Sequence, residues 1–217
     1  MASFRTHLAV ASVVSISAAA ICVEAGLLGQ SDALILFVLG SLAGILPDVD
    51  SDHSIATRLV FKLLGGAVAV LLMYVFVDRL HIALLLALAL GSALLVRYIV
   101  YPVFASITVH RGLFHSLPAA LLLALCMVSL ALYVLQWPLQ LAWLSAGFVC
   151  GGYLVHLLLD EFYSVDFMGR SLKTSFGSAL TVFSFSSWAS YSAMYLAVVA
   201  GLYVLPLPAI ASRYWVF

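Results

Sequence analysis

The sequence predicts an all-α, polytopic membrane protein of about seven transmembrane or half-spanning helices. Three observations lead there. Of 217 residues, 65% are hydrophobic and only 8% charged, where a soluble domain carries about 25% charged residues. The apolar residues fall into runs of about 20, the length a helix needs to cross a hydrocarbon core. Polar side chains gather in a few short islands between those runs, and mean hydropathy is +1.21. Lipid is therefore the expected solvent for most of the surface. Nine basic residues balance nine acidic ones with no basic tail or stripe, so nucleic acid is not an expected partner.

The first element is the run from His7 to Glu24. Arg5 ahead of an apolar stretch, with small residues at Ala18–Ala20, also resembles a cleavable signal peptide. The run continues through Cys22 into further membrane-embedded chain, so a retained first helix is expected. Further spans are read at 33–47, 59–77, 80–104, 117–135, 139–160 and 188–208. The second is short, and Pro47 is expected to end it. No internal repeat is evident, which speaks against an inverted-repeat transporter. Residues 161–187 are rich in Ser, Phe and Gly and too polar at their start to span. An ordered or re-entrant lid is expected there, within a single membrane-embedded domain covering 1–217. Cys22, Cys126 and Cys150 lie in apolar runs without CxxC spacing, and read as packing residues rather than a disulfide frame or zinc site.

Loop charges orient the chain. With the N-terminus in the cytoplasm, Arg5, Arg58, Lys62, Arg97, Arg111, Arg170 and Lys173 face the cytoplasm, and only Arg79 and Arg213 face away. The same topology places His7, Asp48, Asp50, His110, His115, His156 and Asp160 on that cytoplasmic face, although none of them entered the charge count. His81 falls on the opposite face and reads as an interfacial side chain.

Those polar islands carry whatever chemistry the chain has, because polar groups near hydrocarbon are costly. His156 and Asp160 are four apart, which on a helix puts both on one face with Cβ atoms about 6 Å apart. That spacing suits two ligands of one metal, or a hydrogen-bonded His beside a solvated Asp. Asp48, Asp50 and Asp52 follow Pro47, and such close carboxylates repel unless a cation is near. An EF-hand is excluded: His53 stands where Gly is needed and Leu59 where Glu would close the loop. His110 and His115 would point about 140° apart on a helix, but Gly112 permits a turn that reconverges them. Arg111 between them has the planar fork that suits an oxyanion. Asp52, His53 and Ser116 fit either a ligand or a supporting role. No GxSxG, P-loop or GxGxxG is present, which leaves serine hydrolase, NTPase and dinucleotide chemistry without support.

Mixed imidazole and carboxylate donors suit zinc, with manganese or iron as alternatives. The candidates outnumber the ligands of one tetrahedral ion, so two divalent ions are expected, spaced to clamp an in-line displacement.

His7, the stretch GSLAGILPDVDSD (40–52), HRGLFHS (110–116), GYLVHLLLD (152–160) and SLKTSFGSAL (171–180) together resemble the YdjM family. These are bacterial inner-membrane proteins, LexA-regulated or related, to which metal-dependent hydrolase activity is ascribed. The family is distantly similar to zinc-dependent phospholipase C and P1 nuclease. The resemblance covers most of the chain and implies a metal centre of His7, Asp48, Asp50, His110, His115, His156 and Asp160. Phe114 departs from it, standing where a small polar residue is expected.

The expected function is hydrolysis of a phosphoester, with a membrane lipid as substrate, by metal-activated water. Asp50 or Asp52 would orient or deprotonate that water. Arg111, with Arg170 or Lys173 from the lid, would neutralise phosphate oxygens. Two alternatives stand beside it: a divalent-metal or ion transporter, and a non-catalytic protein whose metal staples helix ends together. The sequence leaves the oligomeric state open.

Overall fold

The most buried helix is α7, Leu139–Ser164, and its sequence shows why. Small or core-seeking residues recur every three or four positions: Ala142, Ser145, Val149, Gly152, Tyr153, His156 and Asp160. At 3.6 residues per turn this spacing builds one continuous inward face. Membrane helices gain little from hydrophobicity against each other, so small residues that let backbones approach carry the packing. Gly152 shows the limit of that approach, since a Cβ there would collide with the carbonyl of Gly40.

The structure, a computed structural model, describes residues 3–50, 55–107, 113–166, 171–172 and 180–208, with backbone alone at 50, 55–56, 106–107, 165–166 and 171–172. Among the described residues the fold is all-helical apart from one short strand pair. Two compact units are present, Met1–Pro47 with Leu113–Phe217, and Asp48–Gly112.

In the first unit, α1 (Phe4–Glu24) and α2 (Gln30–Ala43) pack on each other and on α7. The buried residues of α1, His7, Ala11, Ser15 and Ala19, recur at intervals of four along one stripe. Ala19, Ala33, Leu36 and Phe148 fill the space between the three helices. Helix α6 (Leu117–Ser129, extended by a π turn, Leu130–Val134) also packs on α7, and α8 (Trp188–Val204) packs on α6. Ala124, Leu125, Val128, Ala142, Ala146 and Val198 form that seam. Strands β1 (Val165–Asp166) and β2 (Ser171–Leu172) pair antiparallel just after α7.

The second unit is a helical hairpin. Helix α3 (Ile55–Phe76) turns at 77–81 into α4 (Ile82–Leu95), which runs through a π turn (Val96–Val100) into α5 (Tyr101–Ile107). Pro102 has no N–H to donate and its ring would crowd the carbonyl four residues back, so the widened turn just before it has a local cause. His81 is more than an interfacial side chain: its Nδ1 accepts from the Ala83 N–H at 3.4 Å and caps α4.

Six of the described helices are long and apolar enough to cross a membrane, and α2 is the shorter apolar helix that its sequence predicts. Leucines, valines and isoleucines such as Val13, Ile16, Leu84 and Leu90 point outward, as a lipid-facing surface requires. The end of α2 differs from the expectation. The helix stops at Ala43, with the Gly44 N–H closing on Gly40 O, and Pro47 instead opens a 3-10 turn, Pro47–Asp50. Ile45 and Leu46 donate to Leu42 and Ala43. This tighter winding takes the chain out of the α-helix before the proline, whose ring disfavours a helical residue ahead of it.

Candidate metal centre

Four helix ends supply the site in the first unit. Ser3 caps α1, its Oγ accepting from the Thr6 N–H, which sets His7 in the first full turn. Ser116 caps α6, accepting from the Ala119 N–H, so His115 stands immediately before that helix. Ser116 is thus occupied with local structure rather than with ligation. His156 and Asp160 project from the last turns of α7 on its buried face. The end of α2 contributes a backbone group, the Gly44 carbonyl.

These groups converge on Asp160. Its Oδ1 lies 3.1 Å from His7 Nε2, and its Oδ2 lies 3.9 Å from His156 Nε2 and 4.0 Å from His115 Nε2. The rings of His7 and His156 stack at 3.7 Å, and His115 meets His156 edge-on at 5.7 Å. All are inaccessible: His7 is 1% exposed, and His115, His156 and Asp160 are 0% exposed.

One contact fixes a tautomer. His156 Nδ1 lies 2.8 Å from Gly44 O. A carbonyl can only accept, so Nδ1 carries a hydrogen, and in the neutral ring Nε2 is the acceptor nitrogen on the side of Asp160. This is the arrangement of a metal-binding imidazole whose second nitrogen is held by a carbonyl. Gly44 must be glycine for it, because a Cβ there would strike Ala11 Cβ.

The group fits a divalent metal on two observations. Ligand atoms of His115, His156 and Asp160 lie within 4.8 Å of one another, and the two Nε2–Oδ2 separations are within reach of paired metal–ligand bonds of about 2.0–2.2 Å. His7 Nδ1 is buried with no hydrogen-bond partner among the described residues, and an orphaned polar atom in a core calls for an explanation such as an ion.

Tyr153 was not singled out by its sequence, though it lies three residues before His156 on the same face. Fully buried, its hydroxyl donates to the carbonyl of Phe114, the residue before His115. Phe114 therefore serves through its backbone, whatever its side chain. Tyr153→Phe should lower stability by about 0.5–1.5 kcal/mol, read as a reduced melting temperature. An unchanged melting temperature would remove Tyr153 from this supporting role.

Leu117 N donates to Thr181 O at 3.0 Å, and Ser116 and Thr181 form a bridge beside His115. His110, Arg111, Asp52, His53, Arg170 and Lys173, and the side chain of Asp50, lie outside the described residues. Asp48 is the first residue of the second unit, directly after Pro47, and is half-buried. All three cysteines are free thiols.

Fold and site together define a multi-span helical membrane protein with a buried His/Asp cluster able to hold a metal ion. The chain belongs to the YdjM family: the sequence model described as YdjM inner membrane protein matches residues 1–204. No curated protein and no solved structure matches the chain.

Proposed function

We propose that this inner-membrane protein is a metal-dependent hydrolase of phosphoesters, acting on a membrane lipid. The observation that carries the proposal is the convergence of three buried imidazoles on one buried carboxylate at the ends of four helices. Asp160 lies about 32 Å along α7 from Leu139 at about 1.5 Å per residue, and the hydrocarbon core is about 30 Å thick. A span that starts at Leu139 would thus bring the cluster to headgroup depth, where lipid phosphoesters are. Transporter sites, by contrast, lie near the midplane.

In this reading His7, His115, His156 and Asp160 hold the metal. Asp48 follows Gly44 by four residues in the chain and joins the set by family resemblance. Asp50 and His110 belong to the same ligand set by family resemblance. Zinc suits these donors, manganese and iron next, and the number of ligands favours two ions. When bound, the metal supplies Lewis-acid polarisation and an acidified water. Asp50 or Asp52 would offer a carboxylate to accept or orient a proton, and Arg111, with Arg170 or Lys173, would bind the phosphate oxygens. The positive-inside pattern puts this face in the cytoplasm.

The test is turnover. Protein loaded with zinc, manganese or iron in lipid nanodiscs should release phosphate or a phosphorylated headgroup from phospholipids or prenyl phosphates, and chelation should stop it. A second reading, the metal as a staple, is favoured by one observation, the complete burial of the cluster. It predicts bound metal, no turnover with any of these lipids, and unfolding on chelation.

A further inference from the structure

The second unit contains a cavity of its own, about 490 Å³ between α3 and α4. Such a volume lies in the range of small-molecule sites. Three cations line it, Arg58, Lys62 and Arg97, and among the described residues no acidic side chain does. Arg58 and Lys62 are four apart and share one face of α3. Among the described residues none of the three forms an ion pair with a carboxylate. Concentrating three positive charges at one pocket is unfavourable without a counter-charge.

The depth of the cations identifies the kind of anion. Arg58 is about 27 Å along α3 from Phe76, and Arg97 about 22 Å along α4 from Ile82, at about 1.5 Å per residue. Both helices meet at the turn at 77–81, so these cations share the opposite end of the hairpin. Across a hydrocarbon core of about 30 Å, side chains of this length reach the headgroup layer. Tyr98 lies beside them, its ring 5.5 Å from the Arg97 guanidinium carbon, as aromatic residues do at that layer.

Below the cations the lining turns apolar. Gly65 and Gly66 leave α3 without side chains there, and a Cβ on Gly66 would meet nothing within 4 Å. Phe61 and Leu94 complete the wall. A charged mouth above a smooth apolar channel matches a molecule with an anionic head and an acyl chain.

We infer that the α3–α4 cavity is a binding site for an anionic glycerophospholipid, with its phosphate among Arg58, Lys62 and Arg97 and an acyl chain over Gly65–Gly66. Basic pockets between membrane helices bind anionic headgroups in this way. None of its lining residues belongs to the metal centre or to the reaction proposed there.

The experiment is native mass spectrometry of the full chain from nanodiscs containing equal phosphatidylglycerol and phosphatidylcholine. The wild type should retain phosphatidylglycerol preferentially, and Arg58→Gln/Lys62→Gln/Arg97→Gln should lose that preference by at least about tenfold. Gly66→Leu, which fills the channel and leaves the cations, should also lose retained lipid. No preference in the wild type, or equal preference in both variants, would overturn the site. Displacement of the lipid by millimolar inorganic phosphate, with the acyl chain contributing nothing, would overturn the lipid as its occupant. Metal content is expected to match the wild type in both variants, so failure here and failure of the hydrolase reading are separable.

Discussion

Asp160→Ala is expected to reduce lipid phosphoester turnover to background and to weaken metal binding by well over a hundredfold. His7, His115 and His156 all approach Asp160, so its removal takes away the carboxylate that the three buried imidazoles share. Losing an outer partner of a ligand costs about 10–100-fold in affinity or activity, and loss of the central carboxylate should exceed that. Asp160→Asn keeps the shape and removes the charge, and should fail nearly as badly. Metal titration of the purified variants, beside turnover in nanodiscs, checks both effects. Wild-type affinity in Asp160→Ala would exclude Asp160 as a ligand.

The second large effect concerns a residue with no chemistry. Gly152→Ala should destabilise the protein by about 1–3 kcal/mol, the usual cost of overpacking. Its Cβ would meet the Gly40 carbonyl, a backbone group that cannot rotate away. Helix α2 must then move from α7, and the movement is felt at Gly44, one turn further along, whose carbonyl holds His156. The variant should therefore lose metal affinity as well as melting temperature. Loss of stability with unchanged affinity would show that the helix contact and the histidine tautomer are not linked.

Much of this was legible in the residues. The long apolar runs predict the observed helices because length and hydropathy alone decide a span. The short second helix was legible for the same reason, but its end was not. Pro47 is the visible breaker, whereas the chain leaves the α-helix at Gly44 through tighter winding that no side chain announces. The His156–Asp160 pair was legible because spacing four on a helix has one geometric meaning. His7 was not legible by itself: a lone histidine at a helix start carries no signal, and only the predicted topology and the family resemblance brought it to the site. The Gly44 carbonyl had no signature at all, being backbone. Arg58, Lys62 and Arg97 were visible as orientation charges, but their shared cavity depends on how α3 and α4 pair, which residue type alone does not give.

The central claim is that buried His and Asp side chains hold a catalytic metal, and metal content tests it most directly. Elemental analysis of protein purified in mild detergent should find one to two zinc, manganese or iron ions per chain, on the order expected for this ligand set. The His156→Ala/Asp160→Ala double variant should contain none. A wild-type protein that holds no metal, even after reconstitution with each of the three ions, would contradict the metal centre and the hydrolase built on it.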